Sequence, residues 1–177
     1  MEQCGFLRKY RASTAEKYGL LYQIIDPFVL FSLHFLQNHQ IHSWTSFYGT
    51  PAYYAWKGNA FETLCLNHVD QIKNTLGIRG VETEEYAWRN RTSSPGVQID
   101  LLIDRGDNVI NLCEMQCTDQ PFSIDTPYER QLLEKLAVFR AESKTKKAVH
   151  LTMVSASGLV HNAHAGIILT LKPQNLR

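Results

Sequence analysis

The 177-residue chain has almost no net charge: 18 Lys and Arg stand against 17 Asp and Glu, a formal +1. That excludes a generally basic surface as a source of nucleic-acid affinity, which would have to come from a local patch. No apolar run reaches the ~18 residues of a membrane span, so no membrane partner is expected. No G-x-x-x-x-G-K-[ST] occurs, so the chain has no P-loop of its own. Cysteine is sparse, at positions Cys4, Cys65, Cys113 and Cys117. The N-terminus lacks the apolar core of a secretory leader. Reduced thiols and a cytoplasmic location are therefore expected. On one strand Cys113 and Cys117 would lie roughly 13 Å apart, too far for one zinc.

The stretch from Val97 to Gln116, VQIDLLIDRGDNVINLCEMQ, carries the strongest signal. Two runs rich in Val, Ile and Leu flank the turn cluster Arg105, Gly106, Asp107 and Asn108, which predicts a hairpin. Asp107 and Asn108 read as turn residues, because the oxygen-ligand spacing of an EF-hand is missing. Each run holds a carboxylate in its apolar body, Asp100 and Glu114. A buried charge costs several kcal/mol, roughly, unless paired, hydrogen-bonded or bound to metal. Side chains alternate along a strand and directly opposed residues share a face. A three-residue loop, Gly106 to Asn108, pairs Asp104 with Ile110 and Asp100 with Glu114, and puts both carboxylates on one face with Gln116. Two carboxylates so placed could hold one or two Mg²⁺ by oxygen, the ion polarising a scissile phosphate and activating water.

The rest of the chain reads as follows. Residues 1–19 hold a basic, aromatic strand and loop, and Leu21 to Ile25 a strand or short turn. Asp26 and Pro27 begin a helix, with His34 read as packed in the core. Asn38 to Ser46 is the linker candidate. Phe61, Leu64, Cys65, His68, Val69, Ile72 and Leu76 form a helical stripe, and Asn59-x-x-Glu62 has the form of a capping box. Val81 to Trp88 predicts a strand. Pro127 to Ser143 predicts a helix with Arg130, Lys135 and Arg140 as cationic positions. Ala148 to Val154 and Ile167 to Leu171 predict two further strands, and His161-x-x-His164 lies between them.

The hairpin resembles the PD-(D/E)XK nuclease superfamily, with Asp100 as the Asp and Glu114-Met115-Gln116 as (D/E)-x-K. Gln116 departs from the usual Lys; some restriction endonucleases carry Gln or Glu there. The succession WKGNAFETLCLNHVDQIKNTLGI, VQIDLLIDRGDNVINLCEMQ, LLEKLAVFR and KAVHLTMVSASGLVHN resembles the C-terminal nuclease-like domain of bacterial and archaeal AAA-type ATPases, here without the ATPase. The segment LLYQIIDPFVLFSLHFL is similar to the one that joins the two parts in that family. The resemblance implies an α/β fold with a restriction-endonuclease-like α-β-β-β-α-β core and a mixed central sheet, at residues 51–177. A connecting segment, a wing remnant and a helix, would occupy residues 1–50. It implies a Mg²⁺- or Mn²⁺-dependent DNA endonuclease: Asp100, Glu114 and Glu62 bind metal, Gln116 orients water, and Lys135 supplies the charge Gln116 lacks. The alternative is a catalytically weak or inactive module that binds nucleic acid or an ATPase partner. DNA, an AAA-type ATPase and a second copy of the chain are the expected partners.

Overall fold

The computed structural model describes residues 6–13, 18–36, 43–90 and 96–171. It is a mixed α/β fold around one seven-stranded sheet. The elements in chain order are β1 (Leu7–Ser13), β2 (Tyr18–Ile24), α1 (Pro27–Phe31) running into a π-helical turn (Ser32–Leu36), α2 (Trp44–Phe47), α3 (Pro51–Asn67), α4 (Val69–Thr75), β3 (Thr83–Arg89), β4 (Gln98–Arg105), β5 (Val109–Gln116), α5 (Thr126–Ser143), β6 (Ala148–Ser155) and β7 (Ile168–Leu171). The strands lie in the order β2-β1-β3-β4-β5-β6-β7. β3, β4 and β5 form an antiparallel meander, and β6 joins β5 in parallel after the α5 crossover. The β1–β2 hairpin joins β3 through β1, so residues on either side of position 50 share one sheet. Among the described residues no helix is long and apolar enough to cross a membrane.

Three helices start by the same device. Asp26, Thr50 and Asp125 each accept a backbone N–H of the first turn, and Pro27, Pro51 and Pro127 each sit inside that turn. Proline tolerates this position because its missing N–H would have no intrahelical partner there. Thr50-Pro51 overrules the capping box expected at Asn59 and Glu62: Asn59 lies within α3, and its carbonyl accepts from the Thr63 hydroxyl. The stripe from Phe61 to Leu76 is broken at His68, where the backbone leaves the helical region and α4 begins. His34 is exposed and Phe35 is the buried residue of that turn; Phe35 packs among the rings of Phe31, Phe47 and Trp56. Of the linker expected at Asn38 to Ser46, residues 38–42 lie outside the described residues, and Trp44 opens α2.

The sheet has two apolar faces. One packs Trp88, Ile99, Leu102, Ile110 and Leu112 against Leu132 and Phe139 of α5. The other packs Leu101, Ile103 and Cys113 against Phe61 and Cys65 of α3 and Ile72 of α4. These are the α5 face and the α3 face.

Candidate functional site

The β4–β5 hairpin has the expected register. Asp104 pairs with Ile110 and Leu101 with Cys113. The loop is Gly106 to Asn108, and Asn108 takes the left-handed conformation at φ 65°. The outcome for Asp100 differs from the expectation, and the cause lies on the other edge of β4. Tyr86 pairs with Leu102, but Trp88 pairs with Ile99. One residue of β3, Ala87, therefore faces two of β4, Asp100 and Leu101. This is a β-bulge, which adds a residue to one strand and re-aims its side chain. Ile99 and Leu102 both pack on the α5 face. Leu101 packs on the α3 face, and Asp100 turns with it. Asp100 lines an open cleft of about 810 Å³ with Leu101, Leu66 and Asn67 of α3 and Val69, Asp70 and Lys73 of α4. The Gln98 amide donates to its carboxylate.

β5 alternates regularly. Cys113 and Met115 pack on the α3 face, so Glu114 and Gln116 face α5. Lys135 of α5 donates to both Glu114 carboxylate oxygens, at 2.7 and 2.9 Å. Gln116 Nε2 donates to the Tyr128 hydroxyl at 2.7 Å, one helical stretch earlier on α5. Tyr128 was not among the residues singled out from the sequence, because its spacing from the hairpin carries no motif. The aromatic contact of Tyr128 with Phe122 holds it in place, ring centroids 5.1 Å apart.

The structure thus brings Glu114, Gln116 and Lys135 together on the α5 face and leaves Asp100 and Glu62 toward α3. The groups still sense one another. Burial, then the negative charges of Asp100 and Glu114, push the Glu62 carboxyl up to about 7, with Arg8 pulling the other way. Burial also raises the Glu114 carboxyl against the opposing pull of Lys135. Burial and Glu114 push the Tyr128 hydroxyl up to about 12, so it stays neutral while it accepts from Gln116. Burial raises the thiols of Cys65, Cys113 and Cys117 as well, which disfavours a thiolate at these three positions. His164 contacts Glu129 of α5 through Nδ1 at 2.7 Å.

Oxygen donors of the kind a hard divalent cation takes are present. Their placement does not suit one: among the described residues no three His, Cys, Asp or Glu side chains form a group that could hold a metal ion. The bulge keeps Asp100 from Glu114, and Lys135 occupies both oxygens of Glu114. The cleft beside Asp100 is also acidic, lined by Asp70, Glu82, Glu84, Glu85 and Asp100 against Arg8, Lys9 and Lys73.

On the far side of α3, α1 and its π-helical turn form an apolar groove of about 680 Å³ with α3. Phe28, Leu30, Phe31, Leu33, Trp56 and Leu64 line it. Phe28 is 72% exposed, and Leu33 and Leu64 are exposed too.

No family model matches the sequence, and no curated protein matches it. Among solved structures the chain is similar to the crystal structure of a protein of unknown function, AF1548. The identity is 13% and the TM-score 0.41, over 60% of this chain and 56% of that one.

Proposed function

We propose that this chain is a restriction-endonuclease-like module that serves binding rather than cleavage, its partner a protein. The sequence resemblance names the class, an AAA-type ATPase. The observation that carries this reading is the Lys135–Glu114 pair. A metal-dependent nuclease needs carboxylates open to a cation, which polarises the phosphate and activates water. Here an internal ammonium takes both oxygens of the motif Glu, the motif Gln is held by Tyr128, and the motif Asp is turned to the other face. The apolar groove supplies what a partner needs, since contiguous exposed apolar surface marks interaction sites. The acidic cleft beside Asp100 repels a phosphate backbone.

The second reading, a Mg²⁺- or Mn²⁺-dependent DNA endonuclease, is favoured by one observation. Glu62 is raised partly by Asp100 and Glu114, and a divalent ion relieves that kind of carboxylate crowding. In that reading Asp100, Glu114 and Glu62 would hold the ion, Gln116 would orient water and Lys135 would steady the phosphate charge.

Nicking of supercoiled plasmid with Mg²⁺ or Mn²⁺ separates the two. Wild type, Gln116→Lys, Lys135→Ala and Glu114→Ala should all leave the plasmid intact. Nicking by wild type that disappears in Glu114→Ala would establish the nuclease instead.

A further inference from the structure

We propose that the open edge of β2 pairs with the same edge of a second copy of the chain, antiparallel about a twofold axis at Leu21, so that two sheets become one. The proposal goes beyond the partner-binding reading and does not rest on it.

Among the described residues β2 ends the sheet on one side and β7 on the other. A free edge strand shows a row of unpaired backbone N–H and C=O groups, and folded proteins blunt it by shortness, lysine, proline or a bulge. β7 is short, at four residues. β2 has none of these devices. It is seven residues long, YGLLYQI, without a charge or a proline. Its register with β1 runs unbroken from the pair Ser13 and Tyr18 to the pair Leu7 and Ile24. The edge is apolar as well as open. Leu20 is 56% exposed and Tyr22 61%, and alternation along the strand puts both on one face.

The backbone shows which groups are open. The Ile25 N–H donates to the Phe6 carbonyl at 3.0 Å, in line with the pairing of Leu7 with Ile24. In an antiparallel ladder, opposed residues alternate between pairs that exchange both hydrogen bonds and pairs that exchange none. Gly19, Leu21 and Gln23 therefore turn their backbone groups to β1, with Ile25. Tyr18, Leu20, Tyr22 and Ile24 turn theirs to the open side.

This edge is its own complement. A twofold axis at Leu21 sets Leu20 of each copy opposite Tyr22 of the other, and Tyr18 opposite Ile24. Every outward residue then exchanges hydrogen bonds with an outward residue, whereas the next register either way leaves one in each copy without a partner. The Leu20–Tyr22 pairs bring exposed aliphatic and aromatic groups together, a cross-strand contact that stabilises sheets. Charge does not oppose the pairing. The cations Lys9 and Arg11 stand on β1 opposite Tyr22 and Leu20. The β1 strands of the two copies would be roughly 14 Å apart, beyond the ~8 Å screening length of physiological salt. One strand from each copy makes a small interface, so the dimer should depend on concentration.

The test is sedimentation equilibrium from micromolar to millimolar chain, on wild type and the double variant Leu20→Lys with Tyr22→Lys. Both substitutions are at exposed positions, and they set lysine against lysine across the axis. Wild type should pass from one chain toward two. The variant should stay at one, with an unchanged circular dichroism spectrum. A wild type that stays single throughout, or a folded variant that dimerises as wild type does, overturns the proposal. Mild oxidation of Leu21→Cys and of Gln23→Cys tests the register whether or not the lysine variant folds. Across the axis the two residues at position 21 lie about 4.5 Å apart, within disulfide reach. The two at position 23 lie roughly 13 Å apart, outside it. Leu21→Cys should gain bridged dimer over wild type, and Gln23→Cys should not. Equal bridging in the two variants, or none at Leu21→Cys, overturns the proposal.

Discussion

Around Glu114 and Asp100 the two faces of the central sheet handle charge in opposite ways, although farther along the α3 face Glu85 is paired with Lys73 of α4. On the α5 face each polar group on β5 meets a partner on the helix: Glu114 meets Lys135 and Gln116 meets Tyr128. On the α3 face Asp100 has the amide of its own neighbour, Gln98, and Glu62 is pushed toward neutrality by burial and by carboxylates. The same hairpin supplies both faces, so the difference arises from what covers it. α5 meets β5 through two side-chain pairs, Lys135 with Glu114 and Tyr128 with Gln116. α3 ends at His68, and the cleft opens where it stops. Pairing makes a rigid face and leaves nothing free to bind; crowding leaves a charge that a ligand or a proton can relieve.

The largest expected effect on that contrast is loss of packing on the paired face. Phe139 is 1% exposed and meets the Trp88 ring edge-on at 5.3 Å. Phe139→Ala should cost about 3–5 kcal/mol, read by urea denaturation. A loss below that range would mean that α5 adjusts around the gap and that the face is less rigid than its pairing implies.

Next is the ion pair. Lys135→Met should cost about 2–4 kcal/mol in metal-free buffer, below the value for a fully buried pair because both partners are partly exposed. Glu114→Gln added to it should return most of that loss. An additive double variant would show that the two groups do not act as a pair.

On the crowded face the sign reverses. The Glu62 carboxyl in the folded chain titrates near 7, above its ordinary 4.5. Between those values the folded chain keeps a proton that the unfolded chain has released, so stability falls as pH rises through the window and the penalty is complete above about 7. Glu62→Gln should raise the melting temperature by a few degrees at pH 8 and leave it unchanged near pH 4.5. A gain of the same size at both pH values would place the effect in packing rather than charge.

The smallest effect is at Tyr128. Tyr128→Phe removes the acceptor for Gln116 and keeps the ring against Phe122, which should cost about 0.5–1.5 kcal/mol. A neutral result would mean that water replaces the hydroxyl and that the paired face tolerates gaps.

Much of this was legible in the residues. The loop from Gly106 to Asn108, the pairing of Asp104 with Ile110 and the helix over Pro127 to Ser143 follow from turn chemistry and apolar spacing, both local. Lys135 is legible as a cation on the following helix that can replace the charge missing at Gln116. Three things were not legible. Asn59-x-x-Glu62 looks like a cap until Thr50-Pro51 is weighed against it, and both motifs fit a helix start. Tyr128 gains its role only when the fold brings the start of α5 to the end of β5. The bulge at Asp100 and Leu101 leaves no mark in the run Ile99-Asp100-Leu101-Leu102-Ile103, because apolar residues fill both faces there. Period-two reasoning has nothing to register when inside and outside look alike.

That bulge sets what mutation can and cannot reach. An extra residue is a difference of length, and no exchange of one side chain for another at Asp100 or Glu114 removes it. Regular pairing would require β4 to lose a residue, or Gln98 and Ile99 to slide along β3. The slide would carry Ile99, now fully buried, out of the α5 face and put Asp100 opposite Trp88 in its place. The two carboxylates are thus separated by a barrier that stepwise substitution does not cross.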